Sequence, residues 1–136
     1  MRRKILVVID MQNDFITGSL GTPEAQAIVK GVKTKINQAL KQKDTVVFTR
    51  DTHSDNYLDT QEGKKLPVLH CVRYTSGWEI EKSLQLPGAQ IFNKDTFGSL
   101  DLAHYLLSTG CDEIELVGVC TDICVISNAL LIKAYL

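Results

Sequence analysis

Residues 115–129, ELVGVCTDICVISNA, constrain this chain more than any other stretch. They read as a buried strand over 114–117, a turn over 118–121 and a helix from Asp122. Leu116, Val117 and Val119 are β-formers in a short apolar run, which suits a central parallel strand covered on both faces. Thr121 or Asp122 can cap the helix that follows. Cys124 then falls in the first helical turn, where free backbone N–H groups and the helix dipole favour a thiolate. The competing reading is a small apolar cysteine packed at a strand–helix junction.

The rest of the chain repeats the strand-then-helix theme. Residues 5–9, ILVVI, form a continuous run fit for a strand covered on both sides. That strand delivers Asp10 to its carboxyl end, where open α/β sheets place ligands; an Asp there serves equally to cap a turn. Residues 11–24, MQNDFITGSLGTPE, read as a loop, and Phe15 within it either plugs the core or walls a pocket. Thr22-Pro23-Glu24 starts a helix that runs to about Gln42, with Ile28, Val32, Ile36 and Leu40 along one face. A second strand over 45–49 brings Arg50, Asp51, Thr52 and His53 to the same end of a parallel sheet. Residues 54–87 are polar and irregular and contain Glu62, His70, Cys71 and Trp78; a loop of that length in a compact domain is usually functional. A short strand over 89–93 ends at Lys94. Ser99 opens a helix with Leu102, Leu106 and Leu107 on its inner face, stopped by Gly110.

Composition removes some function classes. The 136 residues carry a net charge of −1 and 44% hydrophobic residues, which describes a soluble globular chain without the basic excess that nucleic acid or an anionic membrane surface requires. The opening MRRKILVVID mimics a signal peptide, but its apolar run stops at Asp10, too short for an h-region. The four cysteines (71, 111, 120 and 124) read as cytosolic thiols rather than a disulfide framework, so a cytoplasmic location is expected. No repeat or linker is visible, and residues 1–136 read as one domain.

Two constellations follow. Asp10, Lys94 and Cys124 all come after strands and converge on one rim of a parallel sheet. There Lys94 lowers the Cys124 pKa, Asp10 accepts and returns a proton, and N–H groups at the helix start hold an oxyanion. Against this, a lysine is more commonly one half of a surface ion pair. The second set is Asp51, His53 and His70. Asp-x-His on a strand end sends both side chains to one side, and a third ligand from the long loop gives the open pattern of a catalytic metal site. Scattered histidines alone are weak support, and Cys71 is read as structural.

The motifs VVIDMQNDF (7–15), TRDTH (49–53), LPVLHC (66–71), NKDTFGS (93–99) and GVCTDICV (118–125) together resemble the isochorismatase-like cysteine hydrolases, and most closely their nicotinamidase branch. The resemblance implies an α/β fold, a doubly wound parallel sheet flanked by helices. It implies Asp10 as general base, Lys94 as its partner and Cys124 as nucleophile. It also implies a cis Val119–Cys120 bond, with the amides of Cys120 and Cys124 as oxyanion hole. Asp51, His53 and His70 match nicotinamidase metal ligands, with Glu62 a possible fourth, and isochorismatases lack that set. The ion expected is divalent, zinc first, with manganese or iron also admitted. Tyr57 stands near the place of a further histidine in many nicotinamidases. Pro67 replaces an aromatic residue of some members, leaving Phe15, Trp78 or Phe97 to wall the substrate pocket. Relatives continue past the nucleophile helix with another strand and helix, so the apolar end ALLIKAYL reads as truncated. A homo-oligomer is expected.

The function this implies is a metal-dependent amidase converting nicotinamide to nicotinate and ammonia through a thioester. Two rivals stand beside it: the same cysteine chemistry on another small amide, carbamoyl or ureido compound, and a non-catalytic metal or thiol-redox protein using Cys120 and Cys124. An intact Asp10–Lys94–Cys124 set argues against the redox reading, which needs neither Asp nor Lys.

Overall fold

The computed structural model describes residues 3–94, 99–119, 129 and 133. Its centre is a four-stranded parallel sheet in the order β3-β2-β1-β4, built from β1 (Lys4–Ile9), β2 (Thr45–Asp51), β3 (Gln90–Lys94) and β4 (Glu113–Gly118). Helix α1 (Asn13–Ile16) is a single turn inside the segment expected to be loop. Helix α2 (Pro23–Lys41) joins β1 to β2, and α4 (Leu100–Thr109) joins β3 to β4. The long β2–β3 connection is not wholly irregular. It holds α3 (Gln61–Lys65) and short 3-10 turns at Tyr57–Asp59 and Lys82–Leu84.

The sheet is doubly wound. Leu6, Val8, Val46 and Phe48 pack on the α2 side with Val32 and Ile36. Ile5, Val7, Ile9, Val47 and Phe92 pack on the other side with Leu102, Ala103 and Leu106 of α4. β1 is therefore buried on both faces, which is why its sequence is an unbroken apolar run. The chain first moves from β1 outward to β3 and then returns to the far side of β1 for β4. The strand order reverses between β1 and β4, and ligands in such sheets bind at the carboxyl ends beside that reversal. Gly118 ends β4 there at φ 141, and a Cβ on it would lie 2.1 Å from the Ile9 carbonyl oxygen. Only glycine lets β4 leave the sheet so close to β1.

Capping follows the sequence closely. The Thr22 hydroxyl accepts from the Ala25 N–H, the Ser99 hydroxyl accepts from the Leu102 N–H, and Gly110 ends α4 in the left-handed region at φ 62.

Three expectations change. The inner stripe of α2 is Ala25, Val32, Ile36 and Ala39, while Ile28 and Leu40 are exposed. Steps of four overshoot a helical turn by about 40°, so a stripe from 28 to 40 rotates roughly 120° off the core. On α4, Leu107 is 50% exposed and Ala103 is buried in its place, because Leu107 lies roughly 140° around the helix from Leu102. Finally, β4 is half-buried rather than fully covered, and among the described residues its one strand neighbour is β1. Glu115 on it pairs with Lys4 and Lys35 at 2.9 Å each. Among the described residues no helix is long and apolar enough to cross a membrane.

Candidate active site and metal centre

Asp10 follows β1 in the left-handed region, at φ 53, and is wholly buried. Such a backbone is uncommon outside glycine, although Asp tolerates it better than most residues. Its effect is specific. Strand alternation would send Asp10 to the face opposite Ile9, yet its carboxylate meets groups on the same face as Ile9. The Thr49 hydroxyl donates to Oδ1 at 2.8 Å, and Lys94 Nζ donates to Oδ2 at 2.8 Å. Lys94 sits at the end of β3, in register with Asp51, and its Nζ also lies 3.9 Å from Asp51 Oδ1. The lysine thus bridges the two carboxylates, with only 2% of its side chain exposed.

Asp51 closes β2, and His53 follows two residues later on the same side. His70 comes from the long connection and is brought alongside by a bridge between His53 and Val72. One ligand atom from each of Asp51, His53 and His70 lies within 4.8 Å of the others, all three residues being buried. Both His53 Nε2 (2.9 Å) and His70 Nε2 (3.4 Å) face the same oxygen, Asp51 Oδ2. His70 Nδ1 donates to the Val68 carbonyl at 2.7 Å, so a neutral His70 turns a lone pair toward Asp51. Buried Asp51 Oδ1 accepts no hydrogen bond. A His70 lone pair aimed at a buried carboxylate, one oxygen of which has no hydrogen bond and only the Lys94 charge 3.9 Å away, suits a cation at their centre, and a histidine fixed through its other nitrogen is the usual metal-ligand arrangement. The donor set therefore fits a divalent ion.

The electrostatics agree. Burial alone would raise the Asp51 carboxyl, but the ring nitrogens of His53 and His70, which donate to it when they carry a proton, and the charge of Lys94 overcome it and hold it at about 2. Burial would lower His70, but its bond to Asp51 and the Val68 carbonyl raise it instead. Glu62, on α3, is raised by burial and then by Asp51; its Oε2 lies 3.4 Å from His53 Nε2, at the edge of the cluster. Tyr57 packs its ring on both histidines, at 4.5 and 4.8 Å between centroids, and its hydroxyl donates to the Leu66 carbonyl. A cleft of about 370 Å³ lined by Thr52, His53, Ser54, Tyr57 and Glu62 opens beside them.

The other expected residues divide. Phe15 is buried with its ring 5.6 Å from that of His70, so it borders the centre. Trp78 lies with its indole under the Arg50 guanidinium at 3.7 Å, and its Nε1 donates to the hydroxyl of Thr52, a residue that lines the cleft. Cys71 is fully buried in the core and its thiol is pushed up by burial, in keeping with a structural residue. Cys120, Cys124, Phe97 and the Val119–Cys120 bond lie outside the described residues. Thr49, Gln12 and Asp14 enter the site without having been singled out. Gln12 and Asp14 lie in VVIDMQNDF and Thr49 opens TRDTH, so the motifs contained them, but nothing in those strings said what the three side chains bond.

Residues 4–133 match the isochorismatase domain family. The chain belongs to that family. This isochorismatase-family chain is 33% identical to a nicotinamidase of Acinetobacter baylyi, an alignment covering 92% of this chain and 72% of the relative. It is similar to the pyrazinamidase of Pyrococcus horikoshii, whose crystal structure is a complex with zinc, with a TM-score of 0.85, 31% identity and coverage of 98% and 79%. It is also similar to the N-carbamoylsarcosine amidase of Thermoplasma acidophilum, with a TM-score of 0.82, 27% identity and coverage of 94% and 74%.

Proposed function

We propose that this chain is a metal-dependent cysteine amidase that hydrolyses nicotinamide to nicotinate and ammonia. The coarser part, a hydrolase acting on the carbon–nitrogen bond of a small amide, follows from family membership and from the nicotinamidase and pyrazinamidase relatives. The observation that carries the finer part is the buried Lys94 that joins Asp10 to Asp51, so that a carboxylate suited to proton transfer and a cation centre share one rim.

In this reading Asp10 takes the proton of the Cys124 thiol, and the thiolate attacks the amide carbon. The resulting oxyanion is held by the backbone amides of Cys120 and Cys124. Asp10 then gives its proton to the departing nitrogen, the C–N bond breaks, and ammonia leaves a Cys124 thioester. Asp10 next takes a proton from water, the hydroxide adds to the thioester, and the proton returns to sulfur as nicotinate departs. Lys94 holds Asp10 in place and keeps positive charge beside the thiolate. Asp51, His53 and His70 would hold a divalent ion, zinc first and manganese or iron also suited to nitrogen and oxygen donors, supplying a Lewis acid for the ring nitrogen of the substrate. Phe15 would border the ring. We take the enzyme to work in the cytoplasm as a homo-oligomer.

The likeness to an N-carbamoylsarcosine amidase supports a second reading, the same cysteine chemistry on a carbamoyl or ureido compound. Steady-state ammonia release from nicotinamide, pyrazinamide and a carbamoyl amino acid separates the two. Turnover of the heteroaromatic amides, abolished in Cys124→Ala and retained in Cys120→Ala, is expected. Turnover of the carbamoyl compound alone would move the assignment to the second reading.

A further inference from the structure

The segment directly after Asp10 lies outside the proton-transfer scheme, yet Gln12 and Asp14 each bond the main chain at or beside a ligand of the metal centre. Gln12 is fully buried. Its Oε1 accepts from the Asp51 N–H at 2.8 Å, and its Nε2 donates to the Asp51 carbonyl at 2.8 Å and to the Trp78 carbonyl at 2.8 Å. Main-chain pairing of β1 with β2 has ended by this point, and the Gln12 amide continues it in place of the next peptide. Asn13 Nδ2 donates to the Ser76 carbonyl at 2.8 Å. Asp14 Oδ2 accepts at 2.8 Å from the N–H of Cys71, the residue after His70, which itself stands at φ 49. The loop also bonds this segment by its main chain: Asn13 N–H donates to the Glu79 carbonyl and Asp14 N–H to the Gly77 carbonyl, both at 3.0 Å. A Cβ on Gly77 would lie 2.1 Å from Asp14 Oδ2, so only glycine allows this approach.

The metal ligands arrive on two arms. Asp51 ends β2 and His53 follows two residues later, whereas His70 comes from farther along the long connection, beyond α3. We propose that Gln12, Asn13 and Asp14 form a positioning clamp that holds these two arms at ligand distance. Gln12 fixes both main-chain polar groups of Asp51, and Asp14 fixes the peptide next to His70. The same segment begins at the left-handed turn of Asp10, so the carboxylate proposed as base and the ligand arms share one rigid frame. A prearranged ligand set binds an ion without first gathering its arms, which is the advantage of such outer contacts.

This inference rests on the reading of Asp51, His53 and His70 as a metal site. It is tested by calorimetric titration of the metal-free 136-residue chain with zinc, alongside its urea midpoint. Variants are Gln12→Ala, Asp14→Ala and the conservative Asp14→Asn. Both alanine variants are expected to raise the zinc Kd about 10-fold or more. Asp14→Asn, which keeps an oxygen to accept the Cys71 N–H, is expected to recover most of that loss. A purely structural role would lower the urea midpoint and leave the zinc Kd of the folded protein unchanged, and that result overturns the clamp. If Gln12→Ala does not fold, the Asp14 pair decides: wild-type affinity in Asp14→Ala overturns the proposal. A wild-type chain that takes up no zinc overturns the metal reading and the clamp together, a result distinct from variants that bind as well as wild type.

Discussion

Lys94 Nζ lies 2.8 Å from Asp10 Oδ2 although β2 stands between the strands that carry them. The lysine reaches across the end of β2, passing Asp51, and both partners are buried. A buried pair of this kind contributes little net stability when intact, but breaking it by removing one partner is costly. Lys94→Met should therefore destabilise the chain by about 3–5 kcal/mol. Asp10→Asn combined with Lys94→Met should be less destabilised than Lys94→Met alone, a coupling that urea titration of the single and double variants measures. Equal midpoints for the Lys94 single and the double variant would show that the pair is not coupled.

Asp10→Asn keeps the volume and the Thr49 contact of Asp10 but removes its capacity to carry a proton. Amidase turnover should fall about 10²–10⁴-fold with the fold intact by circular dichroism. A turnover within a few-fold of wild type, in the ammonia assay, would exclude Asp10 as the base.

Cys71 is sealed in the core, and burial pushes its thiol up. It should resist iodoacetamide near neutral pH in the native chain and react once the chain is unfolded in urea, because the thiolate is the reactive form. Cys124, if it is the nucleophile, should react first. Peptide mass spectrometry after timed alkylation checks both; native labelling of Cys71 at the rate of Cys124 would contradict the assignment.

Core and surface on α2 should separate cleanly. Ile36 is 1% exposed and Leu40 45% exposed on the same helix. Ile36→Ala should cost about 2–5 kcal/mol and Leu40→Ala within about 0.5 kcal/mol, read from denaturant midpoints. Similar losses at both positions would mean that the exposed end of the stripe is covered in solution.

The pH dependence of zinc binding has a definite sign. Asp51, held at about 2, stays ionised through the working range and is not the group that titrates. His70 is raised in the metal-free fold, so its protonated form contributes stability that is present below its unfolded value of about 6.5 and lost as pH rises through the raised value. A metal needs the neutral imidazole and competes with that proton. Zinc affinity should therefore weaken as pH falls through and below the raised His70 value, while the metal-free chain gains stability over the same window. Titrations across that range check it; a pH-independent Kd would exclude His70 as a ligand.

Much of this architecture was legible because it rests on local chemistry. ILVVI reads as a strand covered on both faces, Thr22-Pro23 and Ser99 as helix starts and Gly110 as a helix end, and each takes that place in the fold. The strand ends followed, and with them the convergence of Asp10, Asp51, His53 and Lys94 on one rim, since a parallel sheet puts every carboxyl end together. The inner faces of the helices were less legible. Sequence shows which residues are apolar, but the phase of a stripe depends on where a helix rests on the sheet, and that brought Ala25, Ala39 and Ala103 inward and turned Ile28, Leu40 and Leu107 out.

Tertiary structure alone decided how the site is held. Nothing local requires Asp10 to take a left-handed backbone, which swings its carboxylate to the face of Thr49 and Lys94. Nor does MQND announce that Gln12 will bind the peptide of Asp51 and Asp14 that of Cys71, each across more than thirty residues of chain. Those bonds form only after β1, β2 and the long connection have been brought together by the burial of their apolar neighbours. A short-range sequence pattern records the preference of each residue for its own backbone, whereas a buried polar side chain takes its partner from whatever the folded chain places beside it.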